Sequence, residues 1–133
     1  MAYLFDTDVL SAVISVPPNL EVLRRLGAMP LEEQSTSAIN VGEMLFGATR
    51  RHHAGLLERI EAIIESLAVI PFDESAARVY ARIRVALEMA GTPLAEADLR
   101  IAAIALAYEL TLITGNERHF RRVPGLTIEN WLR

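Results

Sequence analysis

The chain alternates short runs suited to β-strands with longer stretches of helical spacing, and this order constrains its fold more than any other feature. Extended segments are expected at residues 2–5, 34–38, 68–72, 110–114 and 126–128. Helices are expected between them, at 8–15, 19–26, 40–53, 56–67, 74–90 and 98–108. Strands separated by helices cannot pair as hairpins, so the pattern predicts an α/β domain with a mostly parallel sheet. Punctuation supports the boundaries. Pro17 and Pro18 close the first helix, Asn19 caps the second and Gly27 stops it. Asn40 is expected to open the third helix, Gly55 to break it, and Gly91 to end the fifth.

The chain has 133 residues, enough for a single domain over 1–133 with a real core, and 52% of them are hydrophobic. There is no cysteine, which excludes disulfides and thiolate metal sites. No basic segment followed by a long apolar one opens the chain. The most apolar stretch, 99–112, is interrupted by Arg100 and Glu109 and is too short to span a bilayer. A cytoplasmic protein without membrane association is expected. The net charge of −4 disfavours general phosphate binding, because neutralising phosphates drives that binding. A nuclease tolerates such a charge if it is concentrated around a cation.

The acidic residues fall where that concentration would occur. Asp6 directly follows the first strand, and Glu43 lies in the first turn expected after the second. Asp98 begins the helix at 98–108, and Asn116 and Glu117 follow the strand at 110–114. In open α/β sheets the functional crevice lies beyond the carboxyl ends of the strands. Carboxylates gathered there repel one another and call for a cation, and oxygen ligands suit Mg²⁺. Each residue also has a plain structural role open to it. Asp6 or Asp8 could cap a helix, and Glu43 stands three residues after Asn40 as in a capping box. Asp98 suits a helix N-terminus, and Asn116 suits a turn.

Four blocks resemble the PIN-domain ribonucleases, in particular VapC-like toxins of type II toxin–antitoxin systems. They are Leu4-Phe5-Asp6-Thr7-Asp8-Val9-Leu10, the run from Ser37 through Glu43 to Gly47, the run from Gly91 through Asp98 to Ala103, and the run from Leu112 through Thr114 and Asn116 to Phe120. The ending, Val123-Pro124-Gly125-Leu126 and then Glu129-Asn130-Trp131, is similar as well. The resemblance spans essentially the whole chain. It implies a three-layer α/β/α domain with a central, mostly parallel sheet of about four to five short strands. It implies catalytic roles for Asp6, Glu43, Asp98 and Asn116, with Asp6, Glu43 and Asp98 holding Mg²⁺, or Mn²⁺ as an alternative ion. Thr7 and Thr114 would support these acids through their hydroxyls. An acid often stands at the position of Asn116, so its neutrality bears on whether one or two cations bind.

The implied reaction is metal-assisted hydrolysis of an RNA phosphodiester, with transfer RNA the leading substrate. Arg50, Arg51 and Arg121 are candidate RNA contacts, whereas His52 and His53 suit a cationic helix end and His119 a surface position. Met44, Leu45 and Phe46 on one helix and Leu56, Leu57, Ile60 and Ile64 on the next suit either a core or a groove. In similar toxins that region receives the C-terminal segment of a VapB-like antitoxin, with an arginine placed among the acids, and the toxins form homodimers and larger assemblies. Three other readings carry some of the same residues. These are a PIN nuclease of RNA processing, a PIN fold retired to binding, and a haloacid-dehalogenase-like phosphatase, to whose opening Phe5-Asp6-Thr7-Asp8 is similar. The last family's Gly-Thr continuation and lysine are both absent here.

Overall fold

The computed structural model describes residues 2–133, so Met1 lies outside the described residues. Five strands form one sheet in the order β3-β2-β1-β4-β5. They are β1 (Tyr3–Phe5), β2 (Gln34–Ser37), β3 (Ala68–Ile70), β4 (Thr111–Ile113) and β5 (Ile128–Glu129). Every pairing is parallel: β1 lies between β2 and β4, with Leu4 opposite Ser35 on one side and Leu112 on the other. The helices are α1 (Thr7–Ile14), α2 (Leu20–Gly27), α3 (Ala38–Arg50), α4 (Ala54–Glu65), α5 (Glu74–Met89), α6 (Glu96–Ala107) and a short α7 (Glu117–Phe120). A 3₁₀ turn, Leu31–Glu33, leads into β2.

The three layers follow from the two-residue period of a strand, which sends neighbouring side chains to opposite faces. Leu4 and Leu112 join one core with Ile83 and Leu87 of α5, six residues of α6 from Leu99 on, and Phe120. Phe5 and Ile113 join the other, with Val9 and Leu10 of α1, Val22 of α2, Met44 and Ala48 of α3, Ile60 of α4, and Trp131. Helices α1–α4 therefore cover one face and α5–α7 the other, as expected. α6 is apolar nearly all round because it lies deepest: Ile101 to Ala105 are all fully buried. Strand β2 is unusual in being polar and buried throughout. Two of its three hydroxyls are spent on the adjacent backbone, with Ser35 Oγ donating to the Tyr3 carbonyl at 2.7 Å and Thr36 Oγ1 to that of Phe5 at 2.8 Å.

Several expected boundaries are corrected. α3 starts at Ala38, not Asn40, because Ser37 is the capping residue and accepts the Asn40 N–H at 3.1 Å. Glu43 consequently falls in the second turn of α3, not the first. Gly55 lies inside α4. The break comes earlier, at His52, whose φ of 53° puts it in the left-handed region, and His53 caps α4 through Nδ1. α6 begins at Glu96, which leaves Asp98 in its first turn. The last strand is Ile128–Glu129 in place of 126–128. Among the described residues, no helix is long and apolar enough to cross a membrane.

Candidate active site

Asp6 leaves the carboxyl end of β1 and serves as the N-cap of α1, so its capping and site roles coincide in one residue. It is only 6% exposed, and both carboxylate oxygens are held. Oδ1 accepts from the Thr7 N–H at 2.8 Å and from Asn40 Nδ2 at 2.9 Å, while Oδ2 accepts from Thr114 Oγ1 at 2.7 Å. Thr114 follows β4, which pairs with β1 in register, so the sheet itself brings the two ends together. Thr7 Oγ1 donates to Glu43 Oε1 at 2.8 Å and ties α1 to α3. The hydroxyls of Thr7 and Thr114 thus each donate to one of the acids.

A cavity of about 280 Å³ opens beyond these strand ends, lined by Asp6, Thr7, Asp8, Glu43, Asp98 and Asn116. The four residues expected to carry chemistry therefore line one space, and among the described residues no basic one lines it. Burial pushes the Asp98 carboxyl above its ordinary value, and the charge of Asp6 adds to this, against the opposing effect of His119. Burial also raises Glu43. The bond from Thr7 opposes that rise, and the charges of Asp6 and Asp98 reinforce it. Asn116 is exposed at the rim, and its backbone N–H donates to Thr114 Oγ1 at 3.0 Å. Glu117 turns away and meets Asn130 and Arg133, so it does not stand in for an acid at position 116.

Two residues of the site escape a sequence reading. Asp8, read only as an alternative cap, lines the cavity. Its Oδ2 accepts from the Gly115 N–H at 2.9 Å, while its Oδ1 is buried without a hydrogen-bond partner. Burial and then the charge of Asp6 raise its carboxyl. An added Cβ on Gly115 would lie 2.7 Å from Asp8 Oδ2 and 2.8 Å from Leu132 Cδ1, so a side chain there would push both of those side-chain ends aside. His119 is exposed, as expected, and also places Nδ1 3.6 Å from Asp98 Oδ2.

The donor set suits a divalent cation. Four carboxylates share one space, three of them are raised by burial and by the charge of Asp6, and one buried oxygen has no donor. Oxygen donors of this kind match a hard ion such as Mg²⁺ or Mn²⁺. Among the described residues, no three acidic or imidazole groups are drawn together at direct-ligation spacing.

A second, larger space of about 450 Å³ runs between α1, α3 and α4 and shares Thr7 and Glu43 with the acid cavity. Met44, Leu56 and Ile60 form its apolar floor, and Arg51 and Arg59 line it as well. Phe46 and Leu57 stand outside it and are exposed, with Arg50 stacked over the Phe46 ring. Of the candidate RNA contacts, Arg51 borders the groove, Arg50 lies beside Phe46, and Arg121 is exposed at the end of α7.

The parallel five-stranded sheet carries four carboxylates around one cavity beyond the end of β1, and residues 3–126 match the PIN domain model. The chain belongs to the PIN-domain family. Within it, the chain groups with the VapC-type ribonucleases. It is 36% identical to the toxin FitB of Neisseria gonorrhoeae, covering 96% of this chain and 97% of that one. It is 30% identical to a tRNA(fMet)-specific endonuclease VapC of Salmonella typhimurium, at 96% and 97% coverage. The fold is also similar to the crystal structure of VapBC2 from Rickettsia felis bound to a fragment of its promoter DNA. There the TM-score is 0.89 at 26% identity, over 98% of this chain and 99% of that one.

Proposed function

We propose that this chain is the toxin of a type II toxin–antitoxin pair, a cytoplasmic Mg²⁺-dependent endoribonuclease that hydrolyses RNA phosphodiester bonds. The observation that carries the reading is the meeting of Asp6, Glu43, Asp98 and Asn116 around one cavity that no basic residue among those described enters. Asp6, Glu43 and Asp98 hold the cation, and Mn²⁺ can take its place. When bound, the ion lowers the pKa of a water and offsets charge on the attacked phosphate. The chain's own part is positioning. The hydroxyls of Thr7 and Thr114 hold the carboxylates of Glu43 and Asp6 by donating to them, so neither acid is free to swing away. Asn116 presents a neutral amide at the rim, which leaves the charge of the site to the acids.

Transfer RNA is the leading substrate, because the relative in Salmonella typhimurium bears the name of a tRNA(fMet)-specific endonuclease. Arg51 lines the groove that shares Thr7 and Glu43 with the acid cavity and is the best placed of the phosphate contacts, whereas Arg50 and Arg121 do not line it. The partner is a VapB-like antitoxin. Its helical or extended segment occupies the groove between α1, α3 and α4, whose shared border at Thr7 and Glu43 lets an arginine reach the acids. Solved relatives of this fold include toxin–antitoxin complexes from Rickettsia felis and Salmonella typhimurium, which supports the pairing. A homodimer is the expected unit of the larger assembly.

The test is cleavage of total RNA by the purified chain with Mg²⁺, repeated with a stoichiometric excess of the antitoxin encoded beside it. Discrete fragments that disappear when the antitoxin is added support both halves of the proposal.

A further inference from the structure

Asn40 was expected to cap a helix, and it does something else. It is fully buried in the first turn of α3, and both its amide oxygen and its two amide protons are engaged. Ser37 Oγ accepts the Asn40 N–H, so the hydroxyl proton is directed to Asn40 Oδ1, at 2.6 Å. That bond spends the amide oxygen and turns Nδ2 the other way. Its two protons go to Asp6 Oδ1 and to Thr7 Oγ1, both at 2.9 Å. Thr7, having accepted from the amide, has one proton to give, and it gives it to Glu43 Oε1 at 2.8 Å. The chain of bonds has a single direction, from Ser37 through Asn40 to the two carboxylates.

We infer that Asn40 is a positioning residue for the acid site, the neutral donor that sets where the carboxylates of Asp6 and Glu43 stand relative to one another. The inference rests on reading those two acids as holders of the cation. The choice of side chain is narrow. Aspartate would offer an oxygen where Asp6 needs a proton, at 2.9 Å and without water to intervene. A shorter side chain would leave Asp6 and Thr7 without their donor. The groups that orient the ligands of a metal tune how tightly it is held, and their loss typically costs about 10–100-fold in affinity or rate.

The experiment measures Mn²⁺ binding by calorimetry on the full chain without RNA, and kcat and KM for RNA cleavage beside it. Asn40→Ala is expected to weaken Mn²⁺ binding by roughly 10-fold or more and to lower kcat similarly, with KM for RNA unchanged. Ser37→Ala frees the amide to rotate and is expected to move both quantities in the same direction by less. Thr36→Val is the matched control. Thr36 is equally buried and loses a bond of similar length to the Phe5 carbonyl, but it touches no acid. It is expected to lower Tm and leave Mn²⁺ affinity and kcat as they were. An Asn40→Ala protein that loses Tm like Thr36→Val yet binds Mn²⁺ like the wild type overturns the inference. If Asn40→Ala does not fold, unchanged Mn²⁺ affinity in Ser37→Ala overturns it equally. A wild-type chain that binds no Mn²⁺ refutes the cation site itself, and the inference falls with it.

Discussion

Thr114 Oγ1 donates to Asp6 Oδ2 at 2.7 Å, joining two residues 108 positions apart at the ends of adjacent parallel strands. The hydroxyl is fully buried and also accepts from the Asn116 N–H, so one side chain fixes both a proposed cation ligand and the turn that presents Asn116. Thr114→Val keeps the shape and removes the hydroxyl. It leaves Asp6 Oδ2 and the Asn116 N–H short of a partner, at an expected cost of about 1–3 kcal/mol in stability. Denaturant unfolding of the variant checks the figure. Cleavage is expected to fall by about 10-fold or more, since Asp6 loses one of its anchors.

Gly115→Ala is expected to disturb the site by sterics alone. The new methyl group would lie well inside contact distance of Asp8 Oδ2 and Leu132 Cδ1. Forcing those groups aside costs about 1–3 kcal/mol. It also breaks the bond from the Gly115 N–H to Asp8, so thermal unfolding and cleavage should both suffer.

The pH dependence of the metal-free protein follows from the acids. Asp8, Glu43 and Asp98 are raised above their ordinary values, with burial the leading cause in each. The folded chain therefore keeps protons that the unfolded chain has already lost. Stability falls as pH rises from the ordinary carboxylate range through the raised values, and the penalty is complete above them. Asp98→Asn removes one of the repelling charges. Without divalent cation it is expected to melt above the wild type at neutral pH, with the gap closing as pH falls to the ordinary carboxylate range. A melting series with EDTA measures this, and added Mn²⁺ should raise the Tm of the wild type more than that of the variant.

Asn116→Asp tests the neutral position at the rim. A fifth carboxylate lining the same cavity should tighten Mn²⁺ binding measured by calorimetry, because affinity for such ions rises with ligand charge. Unchanged affinity would mean that residue 116 stands too far out to reach the ion.

The strands and the helices were legible in the sequence because each has a local signature, short extended runs for the one and caps and apolar spacing for the other. Asp6, Glu43 and Asp98 were only suggested by their placement and were singled out by the resemblance of their blocks to PIN domains. What was not legible depends on contacts between distant residues. Asn40 after a strand reads as a cap. Its bonds to Asp6 and Thr7, 34 and 33 residues away, leave no trace in the local pattern. Asp8 reads as a helix-initiating acid until the turn at Gly115 closes on it. His119 reads as surface and is exposed, and its approach to Asp98, 21 residues away, leaves no mark in the local pattern either. The start of α3 was misplaced for the same reason: Ser37 and Asn40 are both good caps, and the demand of Asp6 for a donor decides between them.

The most direct test of the account is cleavage of cellular RNA by the purified, antitoxin-free chain, run with Mg²⁺, with EDTA, and with folded Asp98→Asn beside it. The account predicts discrete RNA fragments with Mg²⁺ that are absent with EDTA and absent with the variant. Cleavage that persists undiminished in EDTA or in Asp98→Asn, or a folded wild-type chain that cuts no RNA with any divalent cation, would contradict it.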